Sequence, residues 1–215
     1  MDVTPPRPDA GGPGPTPPSG GTGADFVVVE DSGEFSYYRS REELLADLEY
    51  VGEAPCIIDR NARTYRLELD ENRHLRIGPP LGRVEFHWLR QALADAREVH
   101  PDRHRLQRAD APGLADLVAG LFETLQLERR TDADLGLWGL DIDGLSTRRS
   151  ALADVDRLLA GNERLDTVRV MDPFGHLYRP VWHPKHRHLG HAGFLTYVEV
   201  PARRGAARGG ARLKP

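Results

Sequence analysis

A cluster of histidines between positions 183 and 191 is the densest group of metal-binding residue types in the chain. It contains His183, His186, His188 and His191, and His176 lies shortly before it. Neutral imidazole is a common zinc ligand, and zinc prefers four ligands in a tetrahedron. On an extended strand His186 and His188 share one face, and the two flanking histidines could close the site. The sequence therefore offers His183, His186, His188 and His191 as candidate zinc ligands, in a structural or a catalytic site.

The same segment is also explained as a solvated loop between two strands. Pro184, Lys185 and Arg187 are interspersed among the histidines and would keep the segment in water. Its positive charge could attract phosphate without specificity. If the cluster holds a catalytic metal, the most plausible enzyme is a metal-dependent hydrolase, in which Asp172 or Asp143 would have to approach the metal as the general base.

Asp141-Ile142-Asp143-Gly144 follows an apolar run and forms a second pattern of catalytic residue types. It resembles the first motif of haloacid-dehalogenase-type phosphatases. The resemblance implies a nucleophile at Asp141, an acid that handles the leaving-group proton at Asp143, and magnesium between the carboxylates and phosphate. The chain departs from this family at Leu145, where the family has threonine, and it lacks a later lysine and acidic pair at suitable strand ends. A turn between a strand and a helix accounts for these residues better.

Other catalytic patterns are absent from the sequence. We find no G-x-S-x-G nucleophile elbow, phosphate-binding loop, dinucleotide fingerprint or H-E-x-x-H zinc motif. Cys56 is the single cysteine, so an internal disulfide is excluded, and its apolar surroundings predict a buried thiol. These observations favour a non-catalytic protein that requires no cofactor beyond the candidate zinc.

Charge is distributed unevenly along the chain. The tail at 201–215 holds five basic residues and no acid, residues 1–24 carry −1, and the whole chain carries −4, which leaves −8 for residues 25–200. Such an acidic body predicts a protein partner with a basic surface and argues against general nucleic-acid binding. Nucleic acid could still bind through the tail, although the tail has no aromatic residue for base stacking. Its arginines are Arg203, Arg204, Arg208 and Arg212.

The elements that would position these residues alternate between helices and antiparallel hairpins, which predicts an α+β fold. Apolar residues at helical spacing predict one helix over 86–99 and another over 114–125, with Asp110 as its cap. The segment 172–175, Asp-Pro-Phe-Gly, has the chemistry of a type I turn between two β-prone runs. A further strand is predicted over 194–200 by alternation of side chains.

Two stretches of the chain follow the same plan. The matched residues are Asp59, Tyr65 and Arg66 in the first stretch and Asp172, Tyr178 and Arg179 in the second. Upstream of them, 40–48 and 147–155 are both typical of a helix, with Ser40 as the first cap and Ser146 or Thr147 as the second. We interpret the pattern as an internal repeat. The alternative is that any two amphipathic helices followed by hairpins look alike.

We therefore predict two similar helix-plus-antiparallel-hairpin lobes joined by a helical segment. The boundaries are a disordered Pro/Gly-rich leader at 1–24, a first α+β lobe at 25–80, a helical connector at 81–130, a second α+β lobe at 131–200 and a disordered Arg-rich tail at 201–215. No apolar run approaches the length of a membrane span, and the N-terminus lacks a signal-peptide pattern. We expect a cytoplasmic protein with no membrane partner.

Three functions are compatible with these patterns. The favoured one is a non-catalytic protein-interaction module, an acidic regulator or inhibitor of a protein partner, for example one that neutralises a toxin. The first alternative is a metal-dependent hydrolase that uses the histidines of 183–191. The second is nucleic-acid binding through the basic tail together with the His/Lys/Arg segment.

Overall fold

The computed structural model describes residues 25–109, 111–129, 135–162, 164–184 and 193–201. Within these residues the predicted α+β class is confirmed, since four helices accompany largely antiparallel sheets. The helices are α1 (Arg41–Asp47), α2 (Phe86–Val99), α3 (Leu114–Glu128) and α4 (Leu152–Leu159), with a 3-10 turn at Val51–Glu53. The strands are β1 (Phe26–Val29), β2 (Phe35–Tyr38), β3 (Cys56–Asp59), β4 (Arg63–Tyr65), β5 (Leu67–Leu69), β6 (Leu75–Ile77), β7 (Gly82–Arg83), β8 (Leu106–Gln107), β9 (Trp138–Ile142), β10 (Leu145–Arg149), β11 (Arg169–Met171), β12 (Leu177–His183) and β13 (Phe194–Glu199).

The first sheet has the strand order β2-β1-β3-β4-β7, and all of its pairs are antiparallel. Gly33 has φ of +80° in the turn that joins β1 to β2, a conformation that glycine adopts without strain. α1 begins where the sequence predicts, because the Ser40 hydroxyl accepts the N–H of Glu43 at 3.2 Å. These local signals hold the hairpin and the helix next to each other.

Both faces of the first sheet are buried. On one face, Val28 and Ile57 pack with Leu44 of α1 and with the small β5-β6 hairpin. On the other face, Val27 and Ile58 pack against α2 and α3. Burial on both sides explains why β1 is a continuous apolar run and not an alternating one.

The second sheet has the strand order β10-β9-β11-β12-β13-β8, in which only the β13–β8 pair is parallel among the described strands. α4 covers one face through Val155 and Leu159, which pack with Leu140 and Tyr178 of the sheet. On the opposite face Met171 is exposed. The two sheets therefore differ in how their second face is covered.

The predicted helix start at Ser146 or Thr147 is wrong. Both residues lie in β10, and α4 begins at Leu152 with Ala151 as its cap. Asp143 and Gly144 have φ of +51° and +84°, the geometry of a two-residue hairpin turn between β9 and β10. The chain thus turns back into a strand before the helix, so the predicted strand-to-helix turn at 141–144 is also wrong.

α3 begins after Gly113, and Asp110, its predicted cap, lies outside the described residues. The predicted helix at 86–99 agrees with α2. The predicted helical connector, 81–130, also contains β7 and β8, which extend the first and the second sheet. The predicted leader, and the predicted tail apart from its first residue, lie outside the described residues.

The two sheets share one strand order with a helix in the same place. β2-β1-β3-β4 and β10-β9-β11-β12 are arranged alike, with α1 between β2 and β3 and α4 between β10 and β11. The row Val28, Ile57 and Tyr65 across the first sheet corresponds to the row Leu140, Val170 and Tyr178 across the second. The caps Ser40 and Ala151 then differ by 111 positions, and the strand residues by 112 or 113.

No helix in the described part of the chain combines the length and the apolar character needed to cross a membrane.

Candidate functional site

The structure describes one of the four predicted zinc ligands. His183 lies at the end of β12, whereas His186, His188 and His191 lie outside the described residues. The Nε2 atom of His183 is 2.9 Å from the Thr196 hydroxyl, and its ring stacks on Phe194 with centroids 4.9 Å apart. One ring nitrogen is therefore engaged, which leaves Nδ1 for a metal. Among the described residues no group of three or more potential ligands could hold a metal ion.

Asp172, one of the two predicted bases for a metal hydrolase, is fully engaged in a turn. Its Oδ1 atom accepts the N–H groups of Phe174 and His176, each at 2.9 Å. Its Oδ2 atom accepts the Tyr178 hydroxyl at 2.9 Å and Nη2 of Arg108 at 3.2 Å. A carboxylate with four donors and 2% exposure has a structural role in this arrangement.

Asp59 in the first sheet makes the corresponding contacts. Its Oδ1 atom accepts the N–H groups of Asn61 and Arg63 at 2.8 and 2.9 Å, and its Oδ2 atom accepts the Tyr65 hydroxyl at 2.9 Å. Ala62 and Gly175, three residues after each aspartate, both have positive φ, 63° and 92°. The matched Asp and Tyr residues of the sequence thus form the same turn twice, and this turn accounts for their spacing without catalysis.

The carboxylates of the phosphatase-like motif also stabilise a turn. Asp141 accepts the Gly144 N–H at 3.1 Å and the Ser146 hydroxyl at 2.9 Å. Asp143 lies at the tip of the hairpin. The motif thus joins two antiparallel strands, and its first aspartate is occupied by the turn that it closes.

Arg108 connects α3 to the Asp172 turn. Its guanidinium donates to Glu123 of α3, to Asp172 and, through Nε at 3.1 Å, to the Tyr178 hydroxyl. His176 links the same turn to β13, since its Nδ1 atom is 2.8 Å from Glu199. Each charged group in this cluster has an opposite charge or a hydroxyl beside it, so the cluster holds elements together and presents no free anion or cation site.

A cleft of about 940 Å³ lies between the two sheets. β2, the end of α3, the start of α4 and the segment before β8 form its walls. Arg129 pairs with Glu43, and this guanidinium lowers the pKa of the Glu43 carboxyl. Arg105 pairs with Asp156, which also accepts the Tyr197 hydroxyl at 2.6 Å. These two ion pairs neutralise part of the charge along the cleft, whose walls also carry Asp47 and Asp102.

A buried histidine and glutamate lie at the wall of this cleft. His104 is 3% exposed, and its Nε2 atom accepts the Phe35 N–H at 3.3 Å, so a neutral ring carries its proton on Nδ1. Nδ1 makes no hydrogen bond and is 4.0 Å from Oε2 of Glu128. Oε1 of Glu128 accepts the Leu106 N–H at 2.6 Å. The pair therefore connects β2 of the first sheet, β8 of the second sheet and α3.

Burial shifts both groups of this pair toward their neutral forms. It raises the pKa of Glu128 to about 7 and lowers the pKa of His104 to about 4. A carboxyl with a pKa near neutrality has the property that a general acid or base requires. Its donor is, however, a backbone N–H of the fold, and the second group of the pair is a histidine without a hydrogen bond on Nδ1.

The surface of α1 and the 3-10 turn is acidic and has an apolar centre. We call it the acidic face and define it by Glu42, Glu49, Tyr50, Val51 and Glu53. Residues 42–53 hold five carboxylates and no Lys or Arg. Tyr50 and Val51 are 57% and 40% exposed, and Glu53 fixes the loop by accepting the N–H groups of Glu49 and Tyr50. Exposed aromatic and aliphatic side chains with a charged rim are typical of protein-binding surfaces.

The uncovered side of the second sheet has the opposite charge. We call it the open face and define it by Arg148, Arg169, Met171, Leu177 and Arg179. These residues alternate along their strands with the buried residues that face α4. Met171 and Leu177 are neighbours in register and are 47% and 38% exposed.

Comparisons with known proteins do not add to this geometry. Neither family models, nor curated proteins, nor solved structures match the chain.

Sequence patterns missed the residues that join the sheets. His104 and Glu128 are 24 positions apart, and Arg108 and Asp172 are 64 apart. No local motif relates them. The sequence offers no signal that singles out Glu128, because this residue opens a polar run that continues with Arg129 and Arg130.

Proposed function

We propose that the protein is a non-catalytic interaction module, a regulator or inhibitor that binds a basic surface of a protein partner through its acidic face. One observation carries the proposal: Tyr50 and Val51 are exposed at the centre of a segment with five carboxylates and no base. Neutralisation of a basic toxin in the cytoplasm would be one such function.

The charge distribution supports a basic partner. Residues 25–80 contain 13 acidic and 7 basic residues, a net charge of −6, which is most of the −8 carried by residues 25–200. Opposite potentials accelerate encounter and exclude like-charged competitors. The tyrosine supplies a large rigid contact area, which is how interfaces obtain most of their binding energy.

The state of the candidate catalytic groups also favours this proposal over an enzyme. Asp172 and Asp141 are occupied by the turns that contain them, and His183 has Thr196 as a partner. A general base needs access to a substrate proton, and these carboxylates already accept protein donors.

We also propose that the two sheets derive from one duplicated unit. Three features support this: the shared strand order, the same three contacts at Asp59 and Asp172, and the small spread of offsets from 111 to 113. The first copy would then present the acidic face on α1. The second copy would supply the open face.

Site-specific photocrosslinking tests the function. A photoreactive phenylalanine at Val51 should yield an adduct with a protein that presents a basic surface in cells of the source organism, and Glu42→Lys/Glu49→Lys in the same chain should abolish it. The matched control is the same probe at Leu145, which is 79% exposed in the β9–β10 hairpin. An adduct pattern identical at both positions, or insensitive to the charge reversal, would contradict the proposal.

A further inference from the structure

We propose that the basic surface bound by the acidic face is the open face of a second copy of this chain. The inference rests on the proposed function, because it names the partner of the same acidic face. The association is head to tail: the acidic face of one copy binds the open face of the next.

The open face carries its positive charge in exposed positions. Arg148 is opposite Gly139 in the sheet, and Arg179 is opposite Val198. Both arginines are exposed, and neither has a carboxylate partner among the described residues. The Arg169 guanidinium donates to the backbone oxygens of Asp166 and Val168, so its charge is not neutralised.

The same face has an apolar centre. Met171 lies between Gly139 and Leu177 in register. Its side chain covers Gly139, since a Cβ added to Gly139 would be 3.4 Å from the Met171 side chain. Phe174, in the adjoining turn, is also exposed. The patch thus repeats the composition of the acidic face, apolar side chains with a charged rim, but with the opposite sign.

The first sheet shows that the corresponding side can be covered. By position, Val27 and Ile58 correspond to Gly139 and Met171, and in the first sheet they pack against α2 and α3. In the second sheet the corresponding side is exposed at Met171 and Leu177. In the first sheet this side is thus covered by helices. In the second sheet we assign the same role to the outer surface of α1 and the 3-10 turn from another copy, where Tyr50 and Val51 are exposed.

The charges of the two faces favour a second copy as the partner. Residues 25–80 carry −6, and the open face presents Arg148, Arg169 and Arg179, with Asp141 opposite Arg169. Two copies aligned head to tail place these faces against each other and reduce the charge of both. Because the two surfaces differ, the contact is heterologous, and it generates a ring or a chain of copies.

Complementation between charge-reversed variants of the full chain is the test. The acidic-face variant is Glu42→Lys/Glu49→Lys, and the open-face variant is Arg148→Glu/Arg179→Glu. Neither removes Glu43 or Glu53, whose carboxylates hold Arg129 and the 3-10 turn. Sedimentation velocity over a concentration series should show wild-type self-association, which weakens about tenfold between 0.05 and 0.5 M salt.

Each variant alone should be monomeric, and an equimolar mixture should form a complex again, because each variant retains the surface that the other has lost. Control reversals at exposed residues outside both faces, Asp31→Lys/Glu98→Lys and Arg83→Glu/Arg164→Glu, should leave self-association unchanged. A wild type that is monomeric throughout, variants that associate like the wild type, or a mixture that stays monomeric overturns the inference.

This result is separable from that of the crosslinking experiment. An adduct at Val51 with twice the mass of the chain supports a second copy as the partner. An adduct with a different protein that presents a basic surface, together with a monomeric wild type, overturns the second copy and retains the proposed function. Absence of any Val51-specific adduct contradicts the proposed function itself.

Discussion

Replacing Glu128 by glutamine should make the stability of the protein much less sensitive to a rise in pH from 4.5 to 8. Glu128 is buried between α3, β8 and His104, and burial raises its pKa from 4.5 to about 7. The unfolded chain therefore ionises this carboxyl at about pH 4.5 and the folded protein only near pH 7. Its contribution to stability is fully present below pH 4.5 and is lost as the pH rises through 7.

The size of the effect follows from the shift. A difference of about 2.5 pKa units corresponds to about 3 kcal/mol in the free energy of unfolding. Glutamine can still accept the Leu106 N–H but does not ionise. The difference in unfolding free energy between Glu128→Gln and the wild type should thus change by about 3 kcal/mol in favour of the variant between pH 4.5 and pH 8.

Urea denaturation at pH 4.5, 6, 7 and 8, followed by intrinsic fluorescence, measures this difference by linear extrapolation. His104 provides an internal comparison. Its pKa is lowered from 6.5 to about 4 by burial, so its contribution is present above pH 6.5 and is lost as the pH falls through 4. Both proteins should show that acid loss. A stability difference that stays constant from pH 4.5 to pH 8 would refute the argument that Glu128 is neutralised by burial.

Three further substitutions or measurements test other features. Asp172→Asn should lower the unfolding free energy by about 3 kcal/mol, because the carboxylate accepts four donors including Arg108. Asp59→Asn, in the turn without the arginine, should lower it by about half as much in the same urea assay. Equal losses would contradict the role given to Arg108. Gly144→Ala should cost about 1 kcal/mol because φ there is +84°, and an unchanged melting temperature would show that the β9–β10 turn relaxes. Elemental analysis of protein purified without chelators should give about one zinc per chain, lost in His186→Ala/His188→Ala, if the histidine cluster is a metal site; a metal-free wild type removes that prediction.

Local sequence signals predicted the elements well where one signal acted alone. The apolar stripe that includes Leu89 and Leu93 defines α2, and the pattern at Leu117, Leu121 and Leu125 defines α3. Both helices bury these residues against the first sheet, so periodicity and packing agree. The α+β class follows from the same signals.

The prediction failed where two signals competed. Ser146 and Thr147 are good caps, but Asp143-Gly144 is a strong signal for a two-residue hairpin, and pairing of β10 with β9 extends the sheet before α4 starts. For the same reason the sequence comparison of 40–48 with 147–155 placed the start of the second helix four residues too early. The structure has the two caps at Ser40 and Ala151.

The contacts between the sheets could not be predicted. Arg108, Glu128 and His104 acquire their partners only when distant segments pack, and nothing in their local sequence specifies a partner. The acidic face could be predicted in part. The sequence shows the negative charge of 42–53, but the exposure of Tyr50 depends on the fold of the 3-10 turn around Gly52.

The position of β8 in the second sheet has a consequence for the order of folding during synthesis. β8 pairs in parallel with β13, where Leu106 is opposite Tyr197, so a strand made midway through translation finds its neighbour only about 90 residues later. The first sheet and its helices α1, α2 and α3 contain all their own strands by residue 128 and can form on the ribosome first. Arg108 then remains without Asp172 and Tyr178 until the second half of the chain emerges, and the second sheet closes onto an already folded first half.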